Sequence, residues 1–280
     1  MSDRRFRDDR LAVLIDADNA SARLIEPLLE EIAKYGTAHV KRIYGDWTST
    51  KLGGWKEKLH VFAIQPVQQY SYTSGKNATD SALIIDAMDL LYTENFDGFC
   101  IVSSDSDFTK LACRLRESGL FVYGFGKKQT PSPFQKACDK FTYTEIFEEH
   151  EATVADVLGQ ARNSIESTVR NGSTNGNSTK AKTEKAKQST EQITKSRLDT
   201  GAIVLLKTAY EAAAGEEGWA NLGAFGSQIN KISPAFDPRN YGYSKLGQLV
   251  RETDIFEVQE VTSENNPVAK VLYIRLGSSN

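Results

Sequence analysis

Four aspartates in the first half of the chain fall where an apolar run stops or a helical pattern begins. Asp16 closes LAVLID, Asp80 opens a helix after GKNAT, and Asp105 and Asp107 follow FCIVSS. Carboxylates gathered at the carboxyl ends of parallel strands repel one another, and a divalent cation relieves that repulsion. A cation held in this way acts on phosphodiesters by neutralising phosphate charge and lowering the pKa of a water molecule.

Each carboxylate also has a plainer reading. Asp80 fits a helix cap, because a carboxylate there accepts hydrogen bonds from free backbone N–H groups. Asp16 fits a loop entry, with Asn19 or Ser21 capping the next helix, and one of Asp105 and Asp107 fits a cap for FTKLACRLRE. Coincidence argues for the site: three separate strand ends or helix starts each supply an inward carboxylate. Asp18, beyond the strand, belongs equally to the turn. Asn19 offers an amide for a water or a phosphate oxygen, and Lys76, in a loop beside Gly75, suits a substrate phosphate.

Helical geometry separates the remaining acids. With about 100° between successive residues, the stripe Leu83, Ile84, Ala87, Met88 and Leu91 has Asp80 near its centre line and Asp86 and Asp89 on the solvated side. Three scattered histidines match no zinc motif, and no glycine-rich phosphate loop is present. Trp47 and Trp55 in GDWTSTKLGGW are placed to stack on bases, although Trp55 also suits a core position.

The elements that must position these groups are legible as an alternation. Apolar runs at 11–15, 38–44, 60–64, 98–103 and 120–125 read as strands, separated by segments such as LIEPLLEEIAKY and SALIIDAMDLLY with helical periodicity. This is the pattern of an α/β domain, a parallel sheet covered by helices on both faces, and such sheets bind ligands at the carboxyl ends of their strands. After residue 150 the composition turns polar: residues 152–170 fit a polar helix, and NGSTNGNSTKAKTEKAKQSTEQ has too little apolar surface to fold. Three helical segments and two alternating strands, IFEVQEV and AKVLYIRL, then suggest a small winged helix-turn-helix.

Composition bounds the function classes. The chain has 280 residues, 40% hydrophobic and 25% charged, which suits two globular domains. A net charge of -3 argues against a protein that coats nucleic acid by bulk charge. Cys100, Cys113 and Cys138 have no metal-ligand spacing and read as reduced, buried thiols. MSDRRFRDDR is followed by no signal-like stretch and no apolar run approaches the roughly 18 to 20 residues of a membrane helix, so a cytoplasmic protein without membrane contact is expected.

Several ordered blocks carry a family resemblance. LAVLIDADNAS, RIYGDW, GKNATDSALIIDAMDLLY, DGFCIVSSDSDFTKLACRLRESG and VYGFGKK together resemble the NYN domains, in their LabA-like branch within the PIN-like nuclease superfamily. WANLGAFGSQINKISPAFDPRNYGYSKLGQLVRE is similar to OST-HTH, or LOTUS, domains. The expected organisation is an NYN domain over 1–149, a flexible linker over 150–195 and an OST-HTH domain over 196–280. The resemblance implies a Rossmann-like PIN/NYN sheet and ribonuclease activity dependent on Mg2+ or Mn2+. Asp16, Asp80, Asp105 and Asp107 would be the catalytic and metal-binding residues, with Asn19 as companion of Asp16. Hydrolysis by water would leave a 5′-phosphate and a 3′-hydroxyl.

Two local departures accompany the likeness: Ser104 stands where many relatives have glycine, and Asn77-Ala78-Thr79 lengthens the link between Lys76 and Asp80. The second domain would bind RNA or a protein partner, with Arg239, Tyr241 and Lys245 at the start of its third helix as contacts, or else as parts of a structural turn. Two alternatives stand beside the ribonuclease. One is a non-catalytic RNA-binding or scaffold protein. The other is an aspartate-nucleophile phosphatase suggested by Asp16-x-Asp18, which explains Asp80 poorly.

Overall fold

The computed structural model describes residues 9–70, 78–148, 198–215, 217–263 and 266–277. Lys76, the segment read as a polar helix and the linker read at 150–195 lie outside them. The chain divides into two compact units, 1–148 and 149–280.

The first unit is Rossmann-like. Its strands are β1 (Arg10–Asp16), β2 (Thr37–Gly45), β3 (Gln65–Gln68), β4 (Gly98–Val102), β5 (Phe121–Gly126) and β6 (Lys140–Tyr143). They form one sheet in the order β3-β2-β1-β4-β5-β6, and every pairing is parallel. From β1 the chain steps outward to β2 and β3, then returns to lay β4 on the other side of β1. The direction of winding therefore reverses between β1 and β4, and a crevice opens outside their carboxyl ends.

Burial explains the sequence of the central strands. Every residue from Leu11 to Asp16 is buried, which suits a strand covered on both faces and accounts for its unbroken apolar run. On one face Leu11, Val13 and Ile15 pack with Ile25, Leu28 and Ile32 of α1 (Ile25–Ile32). Each such side chain contributes about 1.5–3 kcal/mol by leaving water. The other face carries α3 (Ala78–Tyr92), which packs on β1 and β2 and meets the turn after β4. The helix α4 (Thr109–Glu117) follows that turn and packs on β5.

Several expectations are corrected. The run 60–64 is not a strand: α2 (Lys56–Val61) ends inside it, Ala63 turns with φ 49°, and β3 begins at Gln65. Short apolar runs do not separate strand from helix end, and Pro66 is tolerated because β3 is an edge strand. The sheet has six strands where five runs were read, since β6 and α5 (Ser132–Ala137) are too short to show a period. Cys113 is exposed, whereas Cys100 and Cys138 are buried.

The second unit has helices Thr200–Ala213, Leu222–Ile232 and Leu246–Glu252. Asp199 caps the first by accepting from the Ala202 N–H, and Asn221 caps the second by accepting from Gly223 and Ala224. The hairpin of β8 (Phe256–Ser263) and β9 (Asn266–Leu276) is joined on its β9 side by the two-residue strand β7 (Ala220–Asn221). Leu206, Phe225, Leu249, Val250, Phe256 and Ile274 form its separate core. Among the described residues no helix is long and apolar enough to cross a membrane.

Candidate metal centre

Asp16 ends β1 with its side chain 1% exposed. Three donors hold its carboxylate: Oδ2 accepts from Asn19 Nδ2 at 2.7 Å and from Ser103 Oγ at 2.8 Å, and Oδ1 accepts from the Asp18 N–H at 3.0 Å. Burial pushes its pKa up, and these hydrogen bonds pull partly the other way. Asn19 is therefore the companion of Asp16 rather than a helix cap. Ser21 makes no capping bond either.

Across the switch point, the chain leaving β4 turns through Ser103, Ser104 and Asp105. Ser103 extends β4 by donating its N–H to the Phe125 carbonyl at 2.9 Å, and its hydroxyl accepts the Asp105 N–H at 3.0 Å. Gly126 makes room for this approach, because a Cβ there would lie 2.5 Å from the Ser103 carbonyl oxygen. Asp105 caps the 3-10 turn Ser106–Phe108 by accepting the Asp107 N–H on Oδ1 at 2.9 Å. The capping role expected for one of this pair thus falls to Asp105.

Asp80 comes to the same place from the other direction, in the first turn of α3. One carboxylate oxygen from each of Asp80, Asp105 and Asp107 lies within 4.8 Å of the others. Asp107 is exposed, and Asp80 and Asp105 are half-buried. Asp16 is not part of this convergent trio, although it is close enough to act on Asp80 electrostatically.

The Asp80 carboxyl is raised to about 6, first by burial and then by the charges of Asp16, Asp105, Asp107 and Asp18. A helix N-terminus favours a carboxylate by only about 0.3–1 kcal/mol, so here the dipole loses to desolvation and like charge. Three crowded oxygen donors of one sign suit a hard divalent cation. The same residues do not suit zinc, which takes nitrogen and sulfur ligands in most protein sites.

Other sequence candidates have different placements. Asp86 is not a solvated acid: it pairs with Arg42 and accepts a hydrogen bond from the buried Tyr44 hydroxyl. The buried stripe of α3 is Leu83, Ala87, Leu90 and Leu91, so Asp86 lies on its flank and reaches β2. Asp89 is exposed, as expected. Trp55 is 3% exposed in the core, and Trp47 packs against that core while donating its indole N–H to the Val67 carbonyl at 3.1 Å. Neither tryptophan face is offered to a base in the way the sequence suggested.

In the second unit, Arg239 pairs with the buried Asp237, Nη2 to Oδ2 at 2.7 Å and Nε to Oδ1 at 2.9 Å. Tyr241 stacks on Phe236 with ring centroids 5.6 Å apart. Gly242, at φ 80°, ends the turn in a left-handed conformation that favours glycine. Lys245 is exposed at the start of the third helix.

Ser103 was missed from sequence. Its signal was weak but present: a hydroxyl directly between an apolar central strand and an acidic pair.

The NYN domain model matches residues 10–147, and the OST-HTH/LOTUS domain model matches residues 194–268. No curated protein matches the chain. Among solved structures, a protein of unknown function from Vibrio parahaemolyticus RIMD 2210633 is 16% identical with a TM-score of 0.43, over 50% of this chain and 94% of its own. An uncharacterized protein from Nitrosomonas europaea is 38% identical with a TM-score of 0.27, over 31% of this chain and 80% of its own. A protein from Chromobacterium violaceum is 34% identical with a TM-score of 0.25, over 31% of this chain and 90% of its own. With both domain models in place on a Rossmann-like sheet and a helix-rich second unit, the chain carries an NYN domain over residues 10–147 and a C-terminal OST-HTH/LOTUS domain over residues 194–268.

Proposed function

We propose that this protein is a metal-dependent ribonuclease that hydrolyses RNA phosphodiesters, with its C-terminal domain delivering RNA or a partner. NYN domains belong to the PIN-like nuclease superfamily, whose members generally use divalent metals, and OST-HTH/LOTUS domains bind RNA. The observation that carries the reading is the convergence of Asp80, Asp105 and Asp107 within 4.8 Å at the topological switch point.

Asp80, Asp105 and Asp107 would hold Mg2+ or Mn2+. The cation supplies Lewis acidity, offsetting charge on the phosphate and making water more acidic. The protein's own groups do the positioning. Asp105 is fixed by its cap to the Asp107 N–H, and Ser103 ties it to the buried Asp16. Asp16 keeps an acceptor position on Oδ1 beyond the Asp18 N–H, with which it orients a water for in-line attack on phosphorus. Asn19 holds Asp16 in that orientation. The new bond is from water oxygen to phosphorus and the broken bond is to the ribose 3′ oxygen, leaving a 5′-phosphate and a 3′-hydroxyl. Lys76, four residues before Asp80 in the sequence, is assigned to a substrate phosphate. Lys245 is assigned to RNA contact, with Arg239 and Tyr241 shaping the turn that presents it.

The test is cleavage of single-stranded and structured RNA by the purified chain with Mn2+ or Mg2+, compared with Asp105→Asn. Loss of cleavage in the variant, with RNA binding retained, supports the reading. Equal cleavage by the variant sinks it. RNA binding with no cleavage under any divalent cation favours a non-catalytic RNA-binding protein.

A further inference from the structure

The chain leaving β5 passes directly beside the turn that carries Asp105. Lys127 donates its N–H to Ser104 Oγ at 2.9 Å, and Ser104 is the residue before Asp105. This bond prolongs the contact of β4 with β5, in which the Ser103 N–H already reaches the Phe125 carbonyl at 2.9 Å. The turn over 127–130 is then pinned along its length. The Thr130 N–H donates to the Lys127 carbonyl at 2.9 Å, the Lys128 N–H to Glu145 Oε1 at 2.9 Å, and Gln135 Nε2 to the Thr130 carbonyl at 2.6 Å. Thr130 is 3% exposed, whereas Lys127 and Lys128 are both exposed. A fixed backbone therefore presents two consecutive lysines, and neither ammonium has a hydrogen bond or ion pair among the described residues.

Charge says what these lysines are for. Asp16 and Asp18 add their charge to that of Asp80, Asp105 and Asp107, and one divalent cation does not neutralise even the trio. A polyanion approaches such a centre only beside fixed positive charge. The opposite end of the sheet does not offer it. Over 33–36, 62–64, 93–97, 118–120 and 138–139, the connections at the amino ends of the strands, Lys34 is the one cationic side chain and is paired with Glu31 at 2.6 Å, while Glu94, Asp97 and Asp139 are acidic.

We infer that Lys127 and Lys128 bind consecutive phosphates of an RNA strand on the β5 side of the metal centre. The inference rests on the ribonuclease reading, which makes RNA the ligand. An ammonium on a flexible four-carbon stem is a point charge, suited to phosphate oxygens and indifferent to base identity. Because the turn is already ordered, binding restricts only the two side chains. The Lys127 to Ser104 hydrogen bond fixes the turn next to Asp105, so a strand held by these lysines runs past the trio.

The experiment is fluorescence anisotropy of a labelled single-stranded RNA of mixed sequence with the full chain in EDTA, so that binding is read without cleavage. Salt is varied for wild type, for Lys127→Ala/Lys128→Ala and for Arg114→Ala/Lys136→Ala. The last variant removes the same charge from the final turns of α4 and α5, towards the amino ends of the strands. Loss of two phosphate contacts weakens binding about tenfold and makes the slope of log affinity against log salt shallower by about 1.4, at roughly 0.7 per single-strand phosphate. Tm is unchanged, and the Arg114→Ala/Lys136→Ala variant binds as wild type does. Wild-type affinity and slope in Lys127→Ala/Lys128→Ala overturn the inference, as does an equal loss in both variants, which would mark a general effect of net charge. Cleavage with Mn2+ by a wild type whose binding does not depend on these lysines leaves the ribonuclease standing and removes their role. Binding that depends on them, with no cleavage under any divalent cation, keeps the subsite and removes the hydrolysis.

Discussion

The Ser103 hydroxyl donates to Asp16 Oδ2 across 2.8 Å and in the same position accepts the Asp105 N–H at 3.0 Å, so one buried side chain couples the ends of β1 and β4. Removing it as Ser103→Ala leaves a buried carboxylate oxygen and a backbone N–H short of a partner. The expected loss is about 1–3 kcal/mol of stability, read by denaturant unfolding. Cleavage falls as well, because Asp105 loses its link to the strand end. Unchanged stability and rate in this variant would remove Ser103 from the site.

Asp80 gives the pH dependence. Its folded-state pKa, about 6, lies above its ordinary value of 3.8, so between these limits the native protein binds the extra proton. Stability in EDTA therefore falls as pH rises from about 4 to 6, since ionisation is penalised in the fold. Asp80→Asn stabilises the cation-free protein at neutral pH by on the order of 1 kcal/mol, after discounting for solvent screening of a half-buried group. Thermal melts in EDTA across pH 4–8 measure both effects.

The same carboxylate sets metal affinity. A divalent cation must displace the Asp80 proton, so Mn2+ binding weakens as pH falls below about 6 and is steeply reduced in Asp80→Asn and Asp105→Asn. Isothermal titration of Mn2+ into wild type and variants at pH 5.5 and 7.5 would show it. Adding Mg2+ or Mn2+ at neutral pH also raises Tm, because only the folded site binds.

Asp86 provides the contrast on the same helix. Asp86→Ala strands Arg42 and the buried Tyr44 hydroxyl and is expected to cost about 2–4 kcal/mol. It leaves Mn2+ affinity of the folded fraction intact, since Asp86 is outside the convergent trio. A loss of metal binding beyond the loss of folded protein would contradict this separation.

In the second unit, Arg239 and Lys245 should part company. Arg239→Ala leaves the buried Asp237 without its guanidinium and lowers Tm of that unit. Lys245→Ala leaves Tm unchanged and weakens RNA binding in a salt-dependent way, as expected for an exposed phosphate contact. Melts and binding curves at two ionic strengths distinguish the two roles.

Much of the first unit is legible in the sequence. LAVLID and FCIVSS announced central strands because a strand buried on both faces must be apolar throughout, and the acids at their ends marked the rim where a doubly wound sheet binds ligands. Hydrophobic period also separated Asp80 from Asp89, and the abrupt polar stretch after residue 150 separated two folded regions. What the sequence by itself determined were the elements and the residue types at their ends.

Tertiary structure decided how those ends combine. Strand order laid β4 beside β1 and so brought Asp105 and Asp107 to Asp80, residues whose spacing along the chain carries no trace of that distance. It surrounded the Asp16 carboxylate with hydrogen-bond donors, turned Asp86 inward to Arg42, and closed Trp55 into the core. The physical reason is common to all of these. Local periodicity reports which face of an element is apolar, but the partner of a polar group depends on which element packs against that face.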